Sequence, residues 1–276
     1  MFLQEQYPFT HHPCFSNKRG DLWARIHLPV ALKCNVKCIF CDHNNGSSCH
    51  TSKPGYSASL LSPAEAIDIT RKEMNQNPNL KIIAISGPGE PLYNAETFEV
   101  LESIRKIGIE CKLCLSTNGV LLGENAETLG NLGVDSISVS MNGISPEVVA
   151  SIYEWAVLNG NKMNGTEMAK DIISRQLEGI EIASKNGITV KVNTVLIPEL
   201  NTLEIHALAR QVSIAGAVLQ NIVPLIPCST SQKLRPPTNS ELTTARSIGS
   251  TYLPQFSHCK QCRSDVVGIP GDDRIL

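Results

Sequence analysis

Short apolar blocks alternate with longer amphipathic stretches along most of this chain. "RIHLPVAL", "KIIAIS", "KLCLS", "VDSISVSM", "ITVKVNTVLI" and "AVLQNIVPLI" read as strands. Between them the pattern predicts helices. "SPAEAIDITRKEMNQ" has Ser62 as N-cap, Pro63 at the first helical position and Glu65 in the box position. Further helices are predicted from Ala95 to Ile107, near Glu124 to Leu132, from Pro146 onward, from Thr166 to Asn186, around Thr202 to Ala215 and from Asn239 to Gly249. "NGNKMNG" reads as an insertion before the long Thr166 helix. Six strand–helix units with continuously apolar strands predict a parallel sheet covered by helices. Six are too few for a closed barrel of eight, so the expected architecture is α/β, a partial (β/α)6 TIM-like barrel. One domain over 1–276 is expected, with a barrel core at about 21–250 and tails at 1–20 and 251–276. Neither tail shows periodicity, yet both carry cysteine, so something other than a hydrophobic core must order them.

Composition narrows the classes. In 276 residues, 42% are hydrophobic and 18% charged, enough for a sizeable core. The net charge is -2 and the 24 Lys and Arg form no basic run, which argues against nucleic acid as a partner. No apolar run approaches the roughly 20 residues of a membrane span, and "MFLQEQYPFTHHPC" lacks a signal core. The expected location is therefore the cytoplasm, with no membrane partner. A reducing compartment disfavours disulfides, so the ten cysteines are better read as thiols or metal ligands.

Cys34, Cys38 and Cys41 follow the first strand at C-x3-C-x2-C spacing, where parallel α/β folds place their chemistry. Three thiolates so close can wrap one face of an iron–sulfur cube, or hold zinc with His43 or Cys49 as fourth ligand. Cys14 and the Cys259/Cys262 pair lie at opposite ends of the chain and could order both tails round one metal centre. A zinc knuckle with His258 is the alternative. Taken alone, His27 reads as a hydrogen-bonded core residue, and Cys114, Cys111 and Cys228 as buried small hydrophobes. His11 and His12 could bind metal, although tail histidines are usually solvated. "SGPGEP", Ser86 to Pro91, is by itself a turn. Its glycines would let a ligand approach the backbone and Glu90 could accept from an ammonium.

"CNVKCIFC" resembles the cysteine loop of the radical S-adenosylmethionine superfamily, with aromatic Phe40 before the last cysteine and "SGPGEP" in the place of a glycine-glycine-glutamate stretch. That resemblance implies a partial (β/α)6 barrel and a [4Fe-4S] cluster on Cys34, Cys38 and Cys41, whose fourth iron binds S-adenosylmethionine. "HPCF", "RIHLPVALKCN", "GPGEPL", "LCLSTNG", "IYEWA", "KVNTVLIP", "NIVPLIP" and "HCKQCRSDVVGIPGDDR" extend the resemblance to the NifB family of nitrogenase cofactor maturation, from about His12 to Arg274. It implies an enzyme that fuses two further [4Fe-4S] clusters, with a carbide derived from S-adenosylmethionine, into the eight-iron precursor of the nitrogenase cofactor. Cys14, Cys259 and Cys262 would hold one substrate cluster; His27, Cys49 and Cys114 would hold the other, with His43 and His50 competing for the place of Cys49. The spacer "DHNNGSSC" is longer than the family pattern there. Glu90 would take the methionine amine, with Ser140, Asn193, Thr117 and Asn118 as further contacts. Implied partners are an iron–sulfur cluster donor, an electron donor such as a ferredoxin, and a cofactor carrier or scaffold protein. Two other readings are a radical enzyme that modifies peptide or RNA using auxiliary clusters, and a non-enzymatic iron–sulfur scaffold.

Overall fold

The computed structural model describes residues 6–41, 55–228, 231 and 233–276. Six parallel strands make the frame, in the order β1 (Ala24–His27), β3 (Leu80–Ile85), β4 (Lys112–Thr117), β5 (Val134–Ser140), β8 (Thr189–Leu196) and β9 (Leu219–Pro224). Helices α1 (Pro63–Gln76), α2 (Ala95–Lys106), α3 (Leu122–Asn131), α5 (Gly165–Lys185) and α6 (Ile205–Ile214) return the chain between them, and α7 (Asn239–Gly249) follows β9. Two helices start on capping boxes. Ser62 with Glu65 opens α1 and Thr238 with Glu241 opens α7, each satisfying orphan amides at the helix start.

The strands are not continuously apolar as expected; they alternate. Ile83, Ile85, Leu113, Leu115, Ile137 and Val139 belong to the main core that packs under the helices. Ala84, Cys114, Ser138, Lys191 and Asn193 occupy the intervening positions and line a cavity, so the sheet is curled with a largely polar inner face.

Two hairpins were not legible as strands in the sequence. Helix α4 (Pro146–Ile152) stops after seven residues and the chain enters β6 (Tyr153–Leu158) and β7 (Asn161–Met163). Asn159 and Gly160 both have positive φ, 49° and 78°, as the tight Asn-Gly hairpin turn requires. This hairpin pairs antiparallel with β2 (Val36–Cys38), the strand inside the cysteine loop. The second hairpin, β10 (Val266–Ile269) and β11 (Asp272–Ile275), adds antiparallel to the outer edge of β1. Just upstream, Gln220 N–H donates to the Pro254 carbonyl and Phe256 N–H to the Gln220 carbonyl. Residues 257–265 therefore run from the β9 edge to the β1 edge, across the gap that two further strands would fill in a closed barrel.

Candidate active site

The loop after β1 is held by its neighbour in the sheet. Gly89 N–H donates to the Ala31 carbonyl (2.6 Å) and Glu90 N–H to that of Lys33 (2.9 Å). A Cβ on Gly89 would strike the carbonyls of Leu32 and Lys33. At this position the glycine admits the backbone of the cysteine loop, where the sequence suggested a ligand. The Asn94 side chain accepts from Leu32 and Lys33 N–H (3.2 and 3.0 Å) and donates to the Lys33 and Glu90 carbonyls (2.8 and 2.7 Å). Past Cys34, β6 takes over: Cys38 pairs with Tyr153, Ile39 N–H donates to the Ile152 carbonyl, and Lys37 Nζ donates to the Cys41 carbonyl (2.7 Å).

Glu90 is 3% exposed. Its Oε1 accepts from Leu92 N–H (3.0 Å) and Thr117 Oγ1 (2.6 Å), and its Oε2 from Asn118 N–H (2.6 Å). Burial outweighs these three donors and pushes its pKa up to about 7. A carboxylate accepts about four hydrogen bonds, so Oε2 retains a lone pair for a ligand donor. Asn118 Nδ2 donates to Asn35 Oδ1 (2.7 Å) and lies 4.0 Å from Cys34 Sγ, while Gln176 Nε2 donates to the carbonyls of Asn118 and Ser140 (2.6 and 3.0 Å). Burial, then the Glu90 charge, pushes the Cys34 thiol up to about 12; burial followed by Cys41 and Cys34 raises Cys38 further. Burial thus keeps these groups as thiols, and binding a positive centre would release their protons.

The second compartment is a cavity of about 300 Å³ inside the curled sheet, into which Cys14, His27, Cys114, Cys259 and Cys262 all face. Cys14 comes from the N-terminal tail, Cys259 and Cys262 from the 257–265 span. His27 and Cys114 are in register on either side of Ala84, two strand spacings or roughly 10 Å apart, with only a methyl group between them. His27 Nδ1 is 2.9 Å from the Arg263 carbonyl, so Nδ1 carries the proton and Nε2 keeps its lone pair. Burial, then Arg25, lowers its pKa to about 3, which keeps the ring neutral. Burial pushes Cys114 up to about 12 and Cys262 to about 11. Ser140 and Asn193 line this cavity, whereas Thr117 and Asn118 belong to the Glu90 network. Ser86, four residues before Glu90 in the chain, lines the cavity with Oγ 3.4 Å from His27 Nδ1.

Among the described residues no three His, Cys, Asp or Glu side chains converge on one ion position, and no cysteine is in a disulfide. Zinc needs its donors about 2.0–2.3 Å from a single centre, whereas thiolates on a cube bind different irons and stand further apart. Cys49, His43 and His50 lie outside the described residues. Of the remaining cysteines, Cys111 is half-buried beside Trp23 and Lys81, away from both compartments, while Cys228 is buried with Sγ 3.8 Å from the Ile39 carbonyl.

Two buried groups at or beside the cavity, Lys191 and Arg25, were missed in the sequence, and a third, His12, was weighed there as a metal ligand but expected to be solvated. His12, expected to be solvated, is buried at 1% exposure and stacked edge-on against Phe15. Lys191 and Arg25 are buried cations on the inner sheet. The polar alternation in "VKVNTV", which puts Lys191 and Asn193 on one face, is the signal that identifies such a lining.

The model of the radical SAM superfamily matches residues 28–212. The chain is 39% identical over 278 residues to the FeMo cofactor biosynthesis protein NifB of Methanocaldococcus infernus, covering 99% of this chain and 92% of that protein. It is 40% identical to the protein of that name from Methanocaldococcus jannaschii, over 96% and 88% of the two chains. The relative from Klebsiella pneumoniae is 39% identical across 95% of this chain, which spans 58% of that longer protein. Among solved structures, a radical SAM methyltransferase from Sphaerobacter thermophilus superposes with a TM-score of 0.62 at 18% identity, over 84% of this chain and 65% of the other, a likeness of fold. Loop, curled sheet and near full-length identity agree: the chain belongs to the radical SAM superfamily and, within it, to the FeMo cofactor biosynthesis protein NifB family.

Proposed function

We propose that this protein is a radical SAM enzyme of nitrogenase cofactor biosynthesis, and that it joins two [4Fe-4S] substrate clusters with a carbide derived from S-adenosylmethionine into an eight-iron precursor. The observation that carries the reading is the cavity into which Cys14, His27, Cys114, Cys259 and Cys262 face from separate parts of the chain, one residue stretch away from the Cys34–Glu90 network.

Cys34, Cys38 and Cys41 hold the resident cluster, and the open lone pair of Glu90 accepts from the methionine amine. When bound, that cluster and S-adenosylmethionine supply a radical by reductive cleavage. Asn118 fixes both ends of this arrangement, since its amide holds Glu90 and its side chain approaches Cys34. Ser140 and Asn193 offer hydroxyl and amide groups toward the nucleoside from the cavity wall. His27 presents Nε2 and Cys114 its thiol to one substrate cluster, with Cys49 as third ligand, and Ala84 leaves room between them. Cys14, Cys259 and Cys262 take the other. Two ligand sets in one small cavity bring the two clusters within reach of one nucleoside, and the enclosing walls exclude water from a radical. An iron–sulfur donor, a ferredoxin-like electron donor and a carrier or scaffold protein complete the reaction.

Iron counting under anaerobic conditions tests this directly. Three cubes predict about twelve irons per chain, and a lone radical cluster about four. Incubation with S-adenosylmethionine and a reductant is expected to form an eight-iron, carbide-containing product that activates cofactor-free nitrogenase. A count near four, or no such product from fully loaded protein, overturns the proposal.

A further inference from the structure

Lys191 sits on the inner face of β8 at 3% exposure. Its Nζ donates to the Cys14 carbonyl (2.9 Å) and lies 4.7 Å from the Phe15 ring centre and 5.5 Å from that of Phe256. None of the ion pairs among the described residues includes it. Burying an ammonium without an anion is unfavourable, and one carbonyl and two ring faces offset this only in part. Arg25, the other buried cation on the inner sheet, has its charge met, since NH2 reaches Asp273 Oδ2 (2.5 Å) and NH1 the Gly268 carbonyl (2.6 Å), while its Nε has no hydrogen-bond partner among the described residues.

A second observation points the same way. His12 Nδ1 accepts the Cys14 amide (3.0 Å), which places the imidazole proton on Nε2. That Nε2 is buried without a hydrogen-bond partner among the described residues, and His12 lines the cavity. Lys191 and His12 thus hold Cys14 by its carbonyl and its amide, and each has a charge or donor left over. The group that answers both is an anion next to the Cys14 sulfur.

We propose that Lys191 and His12 are positioning residues for a thiolate-ligated, anionic iron–sulfur cluster on Cys14, Lys191 as its counter-cation and His12 as a donor to its sulfur. This rests on the reading of the cavity as a substrate-cluster site. A positive charge and an N–H donor beside such a cluster favour its reduced, more anionic form and raise its potential.

The test is an EPR-monitored redox titration of the full, anaerobically loaded chain, comparing wild type, Lys191→Met and Lys191→Arg, with the radical-loop cluster as internal reference. Lys191→Met is expected to shift the reduction equilibrium of one cavity cluster at least tenfold toward the oxidised form, about 59 mV for one electron, and to leave the reference unmoved. Lys191→Arg is expected to stay near wild type. Should Lys191→Met fail to retain that cluster while Lys191→Arg retains both iron and potential, the charge role is again supported. A cluster retained at unchanged potential in Lys191→Met, or equal cluster loss in both variants, overturns the inference and leaves the three-cluster reading intact. A wild-type chain with only the radical-loop cluster overturns both.

Discussion

Glu90 is a carboxylate buried among three protein donors beside the cysteine loop. Its pKa is raised from an ordinary value near 4.5 to about 7, so the folded chain binds more protons than the unfolded one between those values. Its contribution to stability is therefore greatest below about pH 4.5 and falls as pH rises to 7, by about 3 kcal/mol in total. Urea unfolding of the cluster-free chain at pH 5 and pH 7 is expected to show parent stability falling relative to Glu90→Gln as pH rises; a pH-independent difference would contradict the burial argument. Gly89 offers a simpler check at the same scale. Gly89→Ala forces a methyl against two carbonyls of the cysteine loop, so we expect a loss of roughly 1–3 kcal/mol in denaturant melts and weakened iron retention at that loop.

Among the elements, the β6–β7 hairpin supports the cysteine loop at β2, which has no other strand partner among the described residues. Gly160→Val places a branched side chain at φ 78° and is expected to cost roughly 1–2 kcal/mol and to increase amide exchange at Val36 and Cys38, with little effect on β4 or β5. The six parallel strands and their helices were legible from apolar blocks and capping boxes because local chemistry dictates them. The two hairpins were less so. "YEWAVLNGNKM" does contain alternating β-formers and an Asn-Gly turn, but the helical start at Pro146 masked them. Val266–Ile269 carries Gly268 at φ 129°, and its pairing with β1 spans 243 positions between Arg25 and Gly268, so no local pattern announces it. Of the candidate site, the Cys34, Cys38 and Cys41 spacing stood out in the sequence, whereas Glu90 was marked only by the family resemblance, because "SGPGEP" alone reads as a turn. The neighbours of His27 and Cys114 were not legible, because register across the sheet decides them. Lys191 was visible only in an alternation read as continuous apolar strand.

Across the whole molecule, the cavity draws on every parallel strand and both tails, so damage at one wall should remove one cluster without removing all. In the loaded chain, Cys14→Ala is expected to lower iron by about four atoms per chain and to leave S-adenosylmethionine cleavage by the radical loop in place. Unchanged iron would take Cys14 out of the ligand set. Removal of residues 254–276 is a harsher test. It deletes Cys259 and Cys262 and strips β10 from β1, exposing an edge strand, so both cluster loss and association of chains are expected by iron assay and size-exclusion chromatography. The 257–265 span is tacked to one flank of the sheet by two hydrogen bonds at Gln220 and to the other by the β1–β10 ladder. Inside the span, Gln261 Nε2 donates to the Pro224 carbonyl (3.1 Å) and the Cys262 carbonyl accepts from Gly55 N–H (3.0 Å), so the cysteines are also held at their own positions. Two thiols carried on one multiply pinned segment keep a fixed spacing, so loosening either edge of the sheet would disturb both together.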